Sequence, residues 1–222
     1  MRKLFFESVT RGARTLLFPP SCMNCGNLGV DICAECKKYL TPKPRFIYGE
    51  SFSIVSSLPY DETTGKLMLL AKERGFISAQ KFFASAIVIS INYFKIDFPI
   101  SVIPIPSQPR SIRRRGFDSM KEIAKLMMKD PHLRTEIEIL EALEIRRRVA
   151  DQSSLTEEER IQNLEGALGV RPNISGKSVI VIDDVITTGS TLREAIRVLE
   201  ERNLTVIGAA TACATKRRLA IG

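Results

Sequence analysis

The sequence predicts an α/β fold built on a largely parallel sheet, preceded by a small cysteine-rich module. Three observations carry that expectation. From residue 46 onward, short β-branched runs alternate with longer segments of helical period. One run, residues 178–183 (SVIVID), holds four successive apolar residues, Val179 to Ile182, and leads through a hydroxyl-rich loop into an amphipathic helix, the sequence of a strand buried on both faces. Four of the five cysteines fall within CMNCGNLGVDICAEC, residues 22–36. At 222 residues the chain suffices for one substantial core plus an appendage.

The N-terminal stretch MRKLFFESVTRGARTLLFPP is basic and amphipathic, but Glu7, Arg11 and Arg14 interrupt any signal-peptide apolar run. This predicts a cytoplasmic protein. Residues 2–17 are expected to dock on the protein's own body or to lie peripherally on the inner membrane surface. Cys22 and Cys25 form one C-x-x-C pair, Cys33 and Cys36 a second after seven intervening residues. Each two-residue gap brings two sulfurs to one side of a tight knuckle, and Gly26 and Gly29 supply turns between them. With no export signal, disulfides are disfavoured, so the four thiolates are expected to close a structural zinc site with no open position. The prolines of residues 41–46 (TPKPRF) read as an extended linker, which sets the expected domains at 1–45 and 46–222.

In the second domain, residues 51–60 (SFSIVSSLPY) read as a strand, and residues 63–75 and 77–94 as helices. Within the latter, residues 82–94 form the most apolar stretch; it is too short to cross a membrane and reads as a buried helix. Residues 99–107 (PISVIPIPS) form a buried strand broken by prolines at its exit. Residues 117–130 form a helix whose Met120, Ile123, Ala124 and Met127 face the core. Leu192, Ala195, Ile196 and Leu199 make one face of the helix in residues 191–203, stopped by Asn203. Cys213, in the strand-like VIGAATACAT, reads as a small buried hydrophobe.

The chemistry concentrates in residues 179–191, VIVIDDVITTGST. Ligands of open α/β sheets bind at the carboxyl ends of strands, where this loop must lie. Thr187, Thr188, Gly189, Ser190 and Thr191 offer hydroxyls and a helix start, which suit a phosphate; Gly189 lets the backbone approach it. Asp183 and Asp184 repel phosphate and must face another part of the ligand. Sugar hydroxyls, or a Mg²⁺ held against a pyrophosphate, satisfy them. The Gly-Lys-Ser/Thr ending of a Walker loop is absent.

This stretch resembles the phosphoribosyl pyrophosphate (PRPP) motif of type I phosphoribosyltransferases. The resemblance implies Asp183 and Asp184 on the ribose 2′- and 3′-hydroxyls, Thr187 to Thr191 around the 5-phosphate, and Mg²⁺ accompanying PRPP. Together with the cysteine knuckle it narrows to the ComF/ComFC competence-protein family, whose members look like PRPP-binding domains used in DNA uptake for natural transformation. PIPSQPRSIRRRGFD, RRRVADQSSLTEEERIQNLEGAL and GAATACATKR agree in order, so the resemblance spans nearly the whole chain. It implies a loop closing over PRPP in residues 146–163, where Gln152, Arg160 and Asn163 match family positions. Two departures stand out: Gln108 replaces a family His, and Asp118 a family Asn.

Arg110, Arg113, Arg114 and Arg115 lie within six residues. Arginine grips phosphates bidentately, so this run suits pyrophosphate, a nucleic-acid backbone, or both. The formal net charge of +8, nearer +6 once a zinc tetrathiolate is counted, agrees with a polyanionic partner. Single-strand binders add stacking aromatics, and Phe117 beside the arginines is the one candidate in sequence, with core packing as its alternative. The single histidine, His132, follows Asp130-Pro131 in a loop, which argues against histidine base catalysis. Three functions compete: a PRPP-binding, single-stranded-DNA-binding accessory protein that works with other DNA-uptake proteins, an active phosphoribosyltransferase, and a PRPP-sensing regulator. The arginines and the knuckle favour the first.

Overall fold

Every strand but one in the larger sheet runs toward the same edge, and that edge carries the residues of interest. The computed structural model describes residues 21–47, 52–147, 165–172, 174 and 176–215. The chain divides into two compact units, Met1–Thr41 and Pro42–Gly222. Residues 2–17 and, of the loop expected over PRPP, residues 148–163 with Gln152, Arg160 and Asn163 fall outside the described residues.

In the second unit the strands are β1 (Arg45–Ile47), β2 (Ile54–Tyr60), β3 (Ile100–Pro104), β4 (Ile137–Ile139), β5 (Leu143–Ile145), β6 (Leu168–Val170), β7 (Ser178–Ile186) and β8 (Thr205–Thr215). Six form one sheet in the order β1-β2-β8-β7-β3-β4, with only the β1–β2 pairing antiparallel. Strands β5 and β6 make a separate antiparallel ribbon. Among the described residues the helices are α1 (Ala34–Tyr39) in the first unit and α2 (Glu62–Glu73), α3 (Ile77–Tyr93), α4 (Pro109–Arg115), α5 (Ser119–Met127) and α6 (Ser190–Glu200) in the second.

Strand β7 is central because Val179, Ile180, Val181 and Ile182 are all buried; no polar side chain interrupts either face until Asp183. Val179 and Val181 join Leu192, Ala195, Ile196 and Leu199 of α6 in one apolar cluster. Helix α3, with Phe83, Ile87 and Ile91 fully buried, packs on β2 and β8. The 82–94 stretch is thus core, and no single described helix is long and apolar enough to cross a membrane. Met120, Ile123, Ala124 and Met127 are buried on α5, and Asn203 adopts a left-handed φ of 60° just past α6.

The structure departs from the sequence reading at several points. Strand β7 does not stop near Asp183 but pairs with β8 as far as Ile186↔Ala214, because β8 is eleven residues long and offers partners throughout. The arginine run is helix α4, with proline in its first turn and Gly116, φ 83°, closing it. Arg45 and Phe46, at the end of the expected linker, pair with β2 at the sheet edge.

Candidate functional site

Because β7 continues past them, Asp183 and Asp184 project to opposite faces of the strand. Asp184 shares its face with Ile180 and Ile182 and is only 4% exposed. Burying a carboxylate requires a partner. It is Lys72, whose Nζ lies 2.6 Å from Asp184 Oδ2. Lys72 sits near the end of α2, four residues after the buried Met68 and next to the buried Ala71, so the helix's apolar stripe carries the ammonium to the sheet edge. Burial alone works against this charge, but Asp184 and Asp183 outweigh it and raise the Lys72 pKa.

Asp183 is half-buried, and its Oδ1 accepts the Asp184 N–H at 2.8 Å. Burial first, and the neighbouring Asp184 charge second, push its carboxyl up to about 7, against the pull of Lys72. Two acceptors with different surroundings therefore stand side by side at the carboxyl end of a central strand.

The loop that follows turns into α6 at Gly189, whose φ of 82° is left-handed and suits glycine. Thr188 Oγ1 and Ser190 Oγ are hydrogen-bonded at 2.8 Å, and the Ser190 N–H points to Thr188 Oγ1 at 3.4 Å. The Gly189 carbonyl accepts the first intrahelical bond from the Arg193 N–H at 2.9 Å. First-turn N–H groups of a helix have no intrahelical acceptor, so this start presents donors and a positive dipole end to an anion.

Helix α4 lies against the end of α2. Arg114 Nη2 bonds Glu73 Oε2 at 2.7 Å, and Arg115 donates from Nη1 to the Lys72 carbonyl at 3.2 Å and to Ser119 Oγ at 3.3 Å. The Arg115 side chain is 7% exposed and holds these elements together. Arg110 and Arg113 are exposed and carry no ion pair among the described residues. The four arginines thus do not form one uniform face. Asp118, one of the two family departures, caps α5: its Oδ1 accepts from Ser107 Oγ at 2.7 Å and from Met120 N–H at 3.1 Å. Capping suits Asp as well as Asn, so the replacement preserves this local role. Gln108 precedes α4 with its carbonyl accepting from Ser111 and Ile112. A cleft of about 330 Å³ opens beside this loop, between Pro106, Ile112, Lys121 and Leu143, Ile145, Arg171.

Of the remaining residues singled out in sequence, His132 is exposed in a turn and Cys213 is fully buried. Arg146 reaches Glu144 at 3.5 Å, and Arg147 donates to the Glu165 carbonyl at 2.6 Å. Lys72 was not read from sequence. Its signal was a lysine at the rim of the Thr64, Met68, Ala71 stripe, a charge placed where only a buried partner can hold it.

In the first unit, the sulfurs of Cys22, Cys25, Cys33 and Cys36 all lie within 4.8 Å of one another. A tetrahedral ion with ~2.3 Å arms needs sulfurs about 3.8 Å apart, and Cys25 and Cys33 are at 3.6 Å. Left-handed Gly26 and Gly29 make the turns between the pairs. The Cys33 N–H donates to Cys22 Sγ at 3.3 Å and Asn24 Nδ2 to Cys36 Sγ at 3.3 Å, as thiolates require. Burial opposes it, yet backbone N–H groups of Cys25, Cys33 and Asn24 bring the Cys22 thiol down to about 6. The cluster can hold a metal ion.

Residues 111–220 match the model of the phosphoribosyl transferase domain. The chain is 30% identical over 104 residues to the DNA utilization protein YhgH of Escherichia coli O6:H1, covering 47% of this chain and 44% of that protein. The match therefore spans less than half the length of that relative. A 44-residue stretch, 20% of this chain and 18% of the relative, is 46% identical to orotate phosphoribosyltransferase of Coccidioides immitis. Among solved structures, an adenine phosphoribosyltransferase aligns over 82% of this chain and 90% of its own at 11% identity and a TM-score of 0.38. A hypoxanthine phosphoribosyltransferase from Staphylococcus aureus aligns over 70% and 66% at 14% identity and a TM-score of 0.31. In this chain a phosphoribosyl transferase domain thus follows a four-cysteine cluster that can hold a metal ion.

Proposed function

We propose that the protein binds PRPP at the β7–α6 junction and single-stranded DNA at its exposed arginines, as an accessory of DNA uptake that works with other uptake proteins. The observation that carries the reading is the pairing of two carboxylates with a hydroxyl-rich helix start at one strand end. Asp183 and Asp184 accept the ribose 2′- and 3′-hydroxyls, while Thr187 to Thr191 and the α6 N–H groups hold the 5-phosphate. Mg²⁺ neutralises the pyrophosphate when PRPP is bound. Lys72 sets the orientation of Asp184, and Arg110 and Arg113 are free to meet pyrophosphate or a DNA backbone. Zinc in the cysteine cluster is structural, with all four positions filled by protein. The cytoplasm, at or near the inner membrane face, keeps such closely set thiols reduced.

The DNA half is tested by anisotropy of a labelled single-stranded oligonucleotide across a salt series. The slope of log affinity against log salt is expected at roughly −0.7 per neutralised phosphate. No binding even at low salt contradicts it.

The cleft beside the β3–α4 loop favours a second reading, active transfer. There a nitrogen of a seated base bonds to C1 of PRPP as the C1–oxygen bond breaks and pyrophosphate leaves with the electron pair. Base-dependent release of labelled pyrophosphate distinguishes it; release at no rate above the base-free control rejects it.

A further inference from the structure

Binding of single strands uses exposed aromatic rings as stacking platforms beside a basic track. The sequence offers Phe117 next to the arginines, but that ring is packed: a β-carbon at Gly75 would stand 3.2 Å from its Cε1 and Cζ. This contact is itself informative. Together with the Arg114–Glu73 pair and the Arg115 bond to the Lys72 carbonyl, it lays residues 114–117 along residues 72–75. Arg74 and Phe76 flank Gly75, at the turn that these contacts join to α4.

That surface has an unusual composition for a solvent face. Phe76 is 41% exposed and the adjoining Ile77 61%, at the turn between α2 and α3. Arg74, Arg110 and Arg113 are exposed with no ion pair among the described residues, and the nearby Glu73 is engaged by Arg114. Guanidinium groups with no ion pair and an exposed ring on two segments in contact fit a ligand that is both polyanionic and rich in flat apolar faces. An acidic peptide lacks the faces, and duplex DNA stacks its bases on one another.

Resting on the single-stranded DNA reading above, we propose that the α2–α3 turn is the base-stacking half of that interface, with Phe76 as the platform and Arg74, Arg110 and Arg113 as the phosphate track. Phe76 stacks a base, and Ile77 shields its edge from water. The arginines follow the backbone of the same strand.

The experiment is anisotropy with a labelled oligothymidylate on the full chain, repeated at several salt concentrations. Phe76→Ala is expected to weaken binding roughly five- to a hundredfold, the range that base–aromatic stacking carries, while leaving the salt slope unchanged because no phosphate contact is lost. Phe76→Tyr keeps the ring and is expected to bind like the wild type. Arg74→Ala and Arg113→Ala are expected to weaken binding and flatten the slope. Thermal unfolding of each variant verifies the fold. If Phe76→Ala binds as the wild type does while Arg113→Ala binds weakly, the stacking surface is overturned and the DNA reading stands. If the wild type does not bind at all, both fall.

Discussion

Lys72 reaches Asp184 at 2.6 Å, joining the end of helix α2 to the carboxylate pair of β7 across 112 positions of sequence. The contact does two things. It makes burial of Asp184 tolerable, and it ties the arginine helix, through Glu73 and the Lys72 carbonyl, to the same strand end.

Replacing Lys72 with Met leaves Asp184 buried without a countercharge. Loss of one partner of a buried pair costs roughly 3–5 kcal/mol, and the Lys72 side chain is 32% exposed, so about 2–3 kcal/mol is expected. Urea unfolding measures it. Adding Asp184→Asn to Lys72→Met should recover part of the loss, since no charge is then stranded; a Lys72→Met protein as stable as wild type contradicts the pairing.

Asp183 predicts a pH dependence in the ligand-free protein. Its folded pKa, raised to about 7, means the folded state holds a proton that the unfolded state releases from near 4 upward. In that window the folded state binds more protons, so stability falls as pH rises from about 4 to 7. The Asp183→Asn variant should lose this component. Parallel stability-versus-pH curves for the two proteins would rule it out.

For the cysteine cluster, protein purified under reducing conditions should carry about one zinc per chain by elemental analysis. Cys25→Ser should lose the metal and destabilise the first unit, because binding of a structural ion is coupled to folding. Protein that is metal-free with disulfides among these cysteines, although prepared in reductant, contradicts the site.

How legible all this was in sequence depended on whether the signal was local. The β7–loop–α6 unit could be read because its period switches within thirteen residues, and the Met120–Met127 stripe because one helix face shows itself. The cysteine cluster was equally local. Lys72 was not read, since nothing near it announces a partner that only the fold brings close. Helix α4 was obscured by charge, lacking an apolar face, and β4, β5 and β6 are three residues each, too short for a period to appear. Phe117 was singled out by its neighbours in sequence; Phe76 became visible only once Gly75 and Phe117 were seen to touch.

The most direct test of the account is titration calorimetry with PRPP and Mg²⁺, comparing the wild type with the Asp183→Asn, Asp184→Asn double variant. Asparagine at position 184 keeps the side chain's size, and Lys72, a third exposed, can turn its ammonium to water, so the variant should fold, as circular dichroism will verify. The account predicts one PRPP per wild-type chain and no detectable binding to the double variant. A double variant that binds PRPP as tightly as the wild type contradicts it.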